Sequence, residues 1–417
     1  MMQVTRLLAA AAGVVLGGMT AAHAADCEVT HWWTSGGEAA AVKVFADSFN
    51  ALGGGDKWVD GAIGGSGDTA RPIIISRIMG GNPPCATQFN PGKDADDLIA
   101  AGLMQDLTEL ATKEHWADLV RPKSQLEGCT KDGKVWCVPV NLHSAQWMWT
   151  NRHVYESAGL TPPKNWDDVV ADAPKLRAKG IIPLSMAQGW PTDLLLTQNL
   201  VPGIGGRDLL LKVFQDKDAA AAAGPEMTKV FQAMDQARKI VNSSEIVPQW
   251  NDAVSLVITG KAGANVMGDW AQGEFQVAKM VAGKDYDCLP GLGVHPMLNT
   301  GGDWFLFPKS KDPKVTAAQL KMASMMISKP VQVAFNLKKG SLPIRPDVDL
   351  KDANDCMKLG LKILEDPKNI MPSPAQMMQR DDINKIRDLL NEFFTDQSIT
   401  VEKAQADFVD LIKNAAK

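Results

Sequence analysis

Twelve tryptophans against two tyrosines is the feature of this 417-residue chain most suggestive of chemistry. Several stand where a strand gives way to a loop or a helix begins. Trp32-Trp33 precedes Thr34-Ser35-Gly36-Gly37, Trp270 follows Val266-Met267-Gly268-Asp269, and Trp250 opens an expected helix. An indole face packs on the weakly apolar C–H face of a pyranose. The rim of hydroxyls needs planar or charged polar partners, supplied by Asp, Glu, Asn, Gln and Lys. Core packing is the competing explanation, and it is the expectation for Trp58, Trp116, Trp136 and Trp166.

Groups that would break bonds are harder to find. Gly64-Gly65-Ser66-Gly67-Asp68 misses the G-x-S-x-G elbow because Asp68 takes its last position. There is no H-E-x-x-H, no Walker sequence and no C-x-x-C, and Gly203-Ile204-Gly205-Gly206 does not complete a dinucleotide fingerprint. The six histidines are scattered, so neither metal nor cofactor is expected. Asp96-Asp97 and Asp167-Asp168 read as solvated helix faces. A glycosidase pair of carboxylates stays open as the enzymatic alternative, because its separation is spatial.

The elements that must position the tryptophans follow from periodicity. Cys27 to Trp33, Trp58 to Ile63 and Ala86 to Asn90 read as strands. Between them lie a helix with Val42, Phe45, Phe49 and Leu52 inward, and another capped by Asp68 with Ile73, Ile74, Ile78 and Met79 inward. Such alternation predicts an α/β fold whose parallel sheet is covered on both faces, with ligands beyond the carboxyl ends of the strands. Val138 to Asn141 and Gln146 to Thr150 read as a crossing into a second lobe. That lobe has strands at Ile181 to Met186 and Ala264 to Met267, and Asp303 to Pro308 returns toward the interlobe region. Helices are expected at Ala271 to Ala282, Thr316 to Asn336, Asn354 to Glu365, Asp381 to Phe394 and Glu402 to Ala416.

Residues 1–24 have the order of a secretory signal peptide: a positive start, the apolar run Leu7 to Met19, and Ala22-His23-Ala24 for cleavage. An exported, periplasmic chain is therefore expected. The formal charge is −5, one unit more negative without Arg6, and no basic stripe offers itself to nucleic acid. Six cysteines in such a compartment should oxidise. Cys129 and Cys137 flank a turn and suit a hairpin bridge. Cys27 and Cys85 pair if their strands are neighbours, which leaves Cys288 for Cys356; spacing alone does not fix the connectivity.

Thr30-His31-Trp32-Trp33-Thr34-Ser35-Gly36-Gly37-Glu38 resembles the opening of glucose- and mannose-binding proteins of bacterial ABC importers, within the extracellular sugar-binding family. Gly133-Lys134-Val135-Trp136, Val138 through His143, Trp147 through Asn151 and Gly268-Asp269-Trp270 extend the likeness along most of the chain. The resemblance implies a two-lobed periplasmic binding protein (flytrap) fold with crossing hinge strands and a helical C-terminal part. The expected organisation is an N-terminal lobe over 25–140 with a return around 300–340, a C-terminal lobe over 145–300, and a helical segment over 340–417 packing on the lobes.

Carried over residue by residue, the resemblance makes Trp32, Trp33 and Glu38 first-lobe ligand contacts and Trp250 with Trp270 the second-lobe aromatic pair. Asp303 and Lys339 match charged hydroxyl binders. Gln88 and Asn90 fall where the family has an amide and a basic or imidazole group, so Asn90 departs from the pattern and Lys93 stands near to substitute. Gln376 occupies the late loop where glucose binders carry histidine. His143 is expected to organise the crossing rather than touch ligand. The implied partners are a small neutral sugar, glucose or a close relative, and ABC permease subunits of the inner membrane, with the receptor a monomer. A disaccharide or polyol in the same cleft is the alternative ligand.

Overall fold

The computed structural model describes residues 25–416, so the leader expected over 1–24 lies outside the described residues. Strand β1 (Asp26–His31) pairs in parallel with β2 (Lys57–Ala62) and β3 (Ala86–Phe89). Helix α1 (Gly36–Ala51) connects the first two and α2 (Ser66–Met79) leads into the third. The parallel part stops there. The next strand in the sheet, Trp304–Leu306, runs antiparallel to β3, and Cys137–Pro139 runs antiparallel to it in turn. This reversal matters for the site. Trp304 faces Phe89, which sets Asp303, just before its strand, beside Asn90, just after β3.

A second sheet has the order Tyr286–Pro290, Trp147–Asn151, Ala262–Val266, Ile182–Ser185, with only the last pair parallel. The crossing segment between Pro139 and Trp147 therefore links one sheet to the other. Each half has its own aromatic core. Phe45 stacks on Phe335 at 4.1 Å in the first, and Phe231 meets Phe393 and Phe408 in the second. Those contacts attach the closing helices Arg380–Thr395 and Val401–Asn414 to the second lobe. Burial of such rings is the main force holding each half together.

Several local expectations need correction. The helix expected over Thr316 to Asn336 is two helices, Pro313–Ile327 and Lys329–Lys339, with Ser328 extended between them. Pro330 lacks an N–H and its ring would strike the preceding turn, so the chain breaks just before it. The helix from Ala271 ends at Val277, with Lys279 at positive φ, rather than reaching Ala282. In α2 the buried stripe runs through Gly67, Ala70, Arg71, Ile74 and Ile78. Ile73 and Met79 face solvent, as does Leu52 past the end of α1. Asp68 lies in the first turn rather than at the cap, which is Gly65. Trp58, Trp116 and Trp166 are buried, but Trp136 is half-buried, donating from Nε1 to the carbonyl of Lys131 beneath the Lys134 ammonium.

The six cysteines form Cys27–Cys85, Cys129–Cys137 and Cys288–Cys356, with Cα separations of 5.0, 5.1 and 6.0 Å. The first joins β1 to the residue before β3, and these strands are indeed neighbours. Among the described residues no helix is long and apolar enough to cross a membrane.

Candidate functional site

Between the two sheets lies a cavity of about 500 Å³ that takes walls from both lobes. The end of β1 delivers Trp32 and Trp33 to it, and the first turn of α1 delivers Glu38. From the other lobe come Trp190, a few residues after the strand Ile182–Ser185, Trp250 at the start of Trp250–Ile258, and Trp270 after Ala262–Val266. Trp270 is the hub. Its ring centroid lies 6.0 Å from Trp190, 6.5 Å from Trp250 at 90°, and 5.2 Å from the His143 ring. The indole folds back over Gly268, where an added Cβ would come within 2.1 Å of it and force the ring to move. Trp33 leans on Phe45, Phe305 and Phe335 on its far side, so core packing and cavity lining are both true of it.

The polar wall is almost entirely buried. Lys339 Nζ sits 2.8 Å from Glu38 Oε1 and 5.3 Å above the Trp33 ring. Asp303 accepts at Oδ1 from Gln88 at 2.7 Å and Asn90 at 3.2 Å, and at Oδ2 from Asn141 at 3.0 Å and His143 at 2.6 Å. Burial pushes the Asp303 carboxyl up, but the neighbouring His143 and Lys339 cations and these donors outweigh it, leaving it below the usual carboxylate range. It is an acceptor, unsuited to donating a proton as a general acid. Burial alone would push His143 down, yet Asp303 on one side and Asp269, 2.8 Å from Nδ1, on the other raise it to about 9. At neutral pH the ring is an imidazolium bonded to both aspartates. His143 thus ties Asn141 of the crossing to Asp269 and Asp303, and it lines the cavity as well.

Of the residues singled out from sequence, Trp32, Trp33, Glu38, Asn90, Trp250, Trp270, Asp303 and Lys339 line this one cavity. Gln88, Lys93 and Gln376 do not. Gln88 is fully buried behind it, accepting from the Trp32 amide at 3.1 Å while donating to Asp303, so it positions two lining residues. Lys93 points to solvent, and Gln376 spends its carbonyl oxygen on the Ser373 amide as part of a capping box. Trp190 was not expected here, although it follows a strand end by a few residues, as Trp270 does.

The remaining wall is ionic and joins the lobes. Asp68 and Asp94 belong to the first lobe, Asp193 and the helix Arg380–Thr395 to the second. Arg71 bonds Asp68 at 2.7 Å and approaches Asp94 at 3.3 Å. Arg380 holds Asp94 at 2.5 Å, and Arg387 reaches Asp68 at 2.8 Å and Asp193 at 3.7 Å. These partners are far apart in sequence, and nothing in charge patterning could have paired them. A second junction lies at the start of α1, where Glu274 accepts from the Gly37 amide at 2.8 Å. Gly37 abuts Gly273 so closely that a Cβ on it would lie 2.4 Å from the Gly273 carbonyl carbon.

This fold agrees with the comparisons. The sequence profile of bacterial extracellular solute-binding proteins matches residues 33–332, and the chain belongs to that family. It is 37% identical over 357 residues to a probable sugar-binding periplasmic protein of Rhizobium meliloti (strain 1021), covering 85% of this chain and 84% of the relative. It is 36% identical over 405 residues to a protein of the same description in Mesorhizobium japonicum, covering 94% and 95%. Among solved structures, a chitin oligosaccharide binding protein superposes with a TM-score of 0.75 at 19% identity, over 93% of this chain and 98% of that one. The maltose-bound MalE3 of T. maritima gives 0.74 at 18%, over 94% and 99%. Both share the two-lobed fold.

Proposed function

We propose that this chain is a periplasmic receptor that closes on a small neutral sugar, a monosaccharide such as glucose or a close relative, for delivery to an ABC importer. The observation that carries the reading is the convergence of five indoles from both lobes on one cavity whose polar wall is built of buried carboxylate, ammonium and amide groups. Indoles cover the ring faces and the polar groups meet the hydroxyls. The lining cations Arg71, His143, Lys339, Arg380 and Arg387 stand against Glu38, Asp68, Asp193 and Asp303, with Asp94 and Asp269 just behind. That balance suits an uncharged ligand. The names of the Rhizobium and Mesorhizobium relatives support both sugar and periplasm.

Binding favours closure because only the closed form lets both lobes touch one molecule. A micromolar dissociation constant, worth about −8 kcal/mol, is the expected scale. Isothermal titration against a panel of neutral monosaccharides and short glycans tests the reading, and the absence of heat with all of them ends it. A disaccharide is the second reading, favoured by a cavity of about 500 Å³, which is roomier than one pyranose ring needs. Tighter binding of a disaccharide than of either component sugar in the same titration would select it.

A further inference from the structure

Trp33 reaches the cavity through a turn that hangs on a ring outside it. His31 is the last residue of β1 and 1% exposed. The backbone amide of Trp33 donates to its Nδ1 at 3.2 Å, and its Nε2 lies 2.7 Å from Asp60 Oδ1 on β2. A backbone amide can only donate, and a carboxylate can only accept. The ring must therefore accept at Nδ1 and donate from Nε2, which selects the neutral Nε2–H tautomer.

We propose that His31 is a positioning residue of the sugar site: as the neutral Nε2–H tautomer it accepts the Trp33 amide, and a proton gained at Nδ1 unseats the Trp32-Trp33 turn and weakens sugar binding. The inference rests on the sugar-site reading for its functional consequence, but not for the tautomer. Protonation would set two N–H groups face to face at 3.2 Å and leave the buried Trp33 donor without an acceptor. The charged groups facing the ring are Asp60 from β2 and Glu38 from α1, the latter already neutralised by Lys339. Burial pushes the imidazole down, and the two carboxylates recover only part of that, so the ring titrates below the ordinary histidine range.

A purely structural His31–Asp60 staple predicts the opposite acid response. A proton on the ring would convert it to a stronger ion pair. The two roles therefore separate in a pH profile.

The experiment has two arms on the full-length mature chain. Nitrogen-15 NMR of the sugar-free protein at neutral pH should show an unprotonated Nδ1 and a protonated Nε2 on His31, with the Trp33 amide shift following the ring's titration. Calorimetry with the tightest-binding sugar from the panel should then show affinity level near neutral pH and falling toward tenfold per pH unit below the His31 titration. Asp60 is 59% exposed, so Asp60→Asn should fold. It keeps an acceptor for Nε2–H while removing an anion that favours the imidazolium, and the acid limb should move to lower pH. A protonated Nδ1 at neutral pH, or an acid limb that Asp60→Asn abolishes or leaves unmoved, overturns the proposal. If no sugar binds at any pH, the sugar reading falls, and coupling between the His31 and Trp33 signals still decides the role of His31.

Discussion

Arg380, carried by the second lobe, grips Asp94 of the first with both arms of its guanidinium side, Nη2 to Oδ2 at 2.5 Å and Nε to Oδ1 at 3.1 Å. With Arg387 on Asp68, it forms a clasp across the cleft. The pairs are partly solvated, Arg380 being 29% and Asp94 11% exposed, so screening tempers each to about 1 kcal/mol. Arg380→Gln should weaken ligand binding severalfold. Together with Arg387→Gln it should enlarge the radius of gyration of the sugar-free protein in X-ray scattering. Unchanged dimensions in the double variant and in high salt would show that the clasp does not hold the lobes.

His143 makes a prediction in the alkaline direction. Its folded pKa of about 9 exceeds the ordinary 6.5, so its contribution is fully present below pH 6.5 and lost as pH rises through 9. The shift corresponds to at most about 3 kcal/mol. Urea denaturation should give a lower midpoint at pH 10 than at pH 7, and His143→Gln should flatten much of that difference. His143→Ala, which leaves Asp269 and Asp303 buried without their cation, should cost about 3–5 kcal/mol.

Trp270 meets three other rings at the cavity, and Trp136 lies outside it. Trp270→Ala should raise the sugar dissociation constant by roughly tenfold or more, whereas Trp136→Ala should leave it within about twofold. Calorimetry on both variants, with circular dichroism to verify the fold, distinguishes a stacking platform from a packing residue.

The disulfides should differ in worth. Cys288–Cys356 closes a separation of 68 residues and Cys129–Cys137 one of 8. Chain entropy then gives about 4 kcal/mol for the first and about 2.5 for the second. Paired Cys→Ser replacements followed by thermal denaturation should rank them in that order. A larger loss from the short hairpin bridge would mean that native-state packing outweighs the entropy of the unfolded chain.

Strand ends were the legible part of the site. Trp32, Trp33 and Trp270 sit where a strand runs out, and type plus position sufficed to find them. Asp303 was legible only through family likeness, because it immediately precedes an antiparallel strand whose place beside β3 no local pattern encodes. Gln88 and Gln376 stand off the cavity lining for one reason: an amide in the right stretch of chain carries no sign of whether backbone or neighbour will claim it. Arg71, Arg380 and Arg387 were invisible as a set, since their carboxylates arrive from other elements. The alternation of strand and helix foretold an α/β fold but overstated its parallel portion, as nothing in Trp304 to Leu306 marks direction.

The bare meeting of Gly37 and Gly273 has a mechanical consequence. With no side chain between them, α1 and the helix Ala271–Val277 rest backbone on backbone, and their fit at that spot has no cushion. One methyl group at position 37 would act as a wedge driven into a joint, forcing α1 and the helix Ala271–Val277 apart.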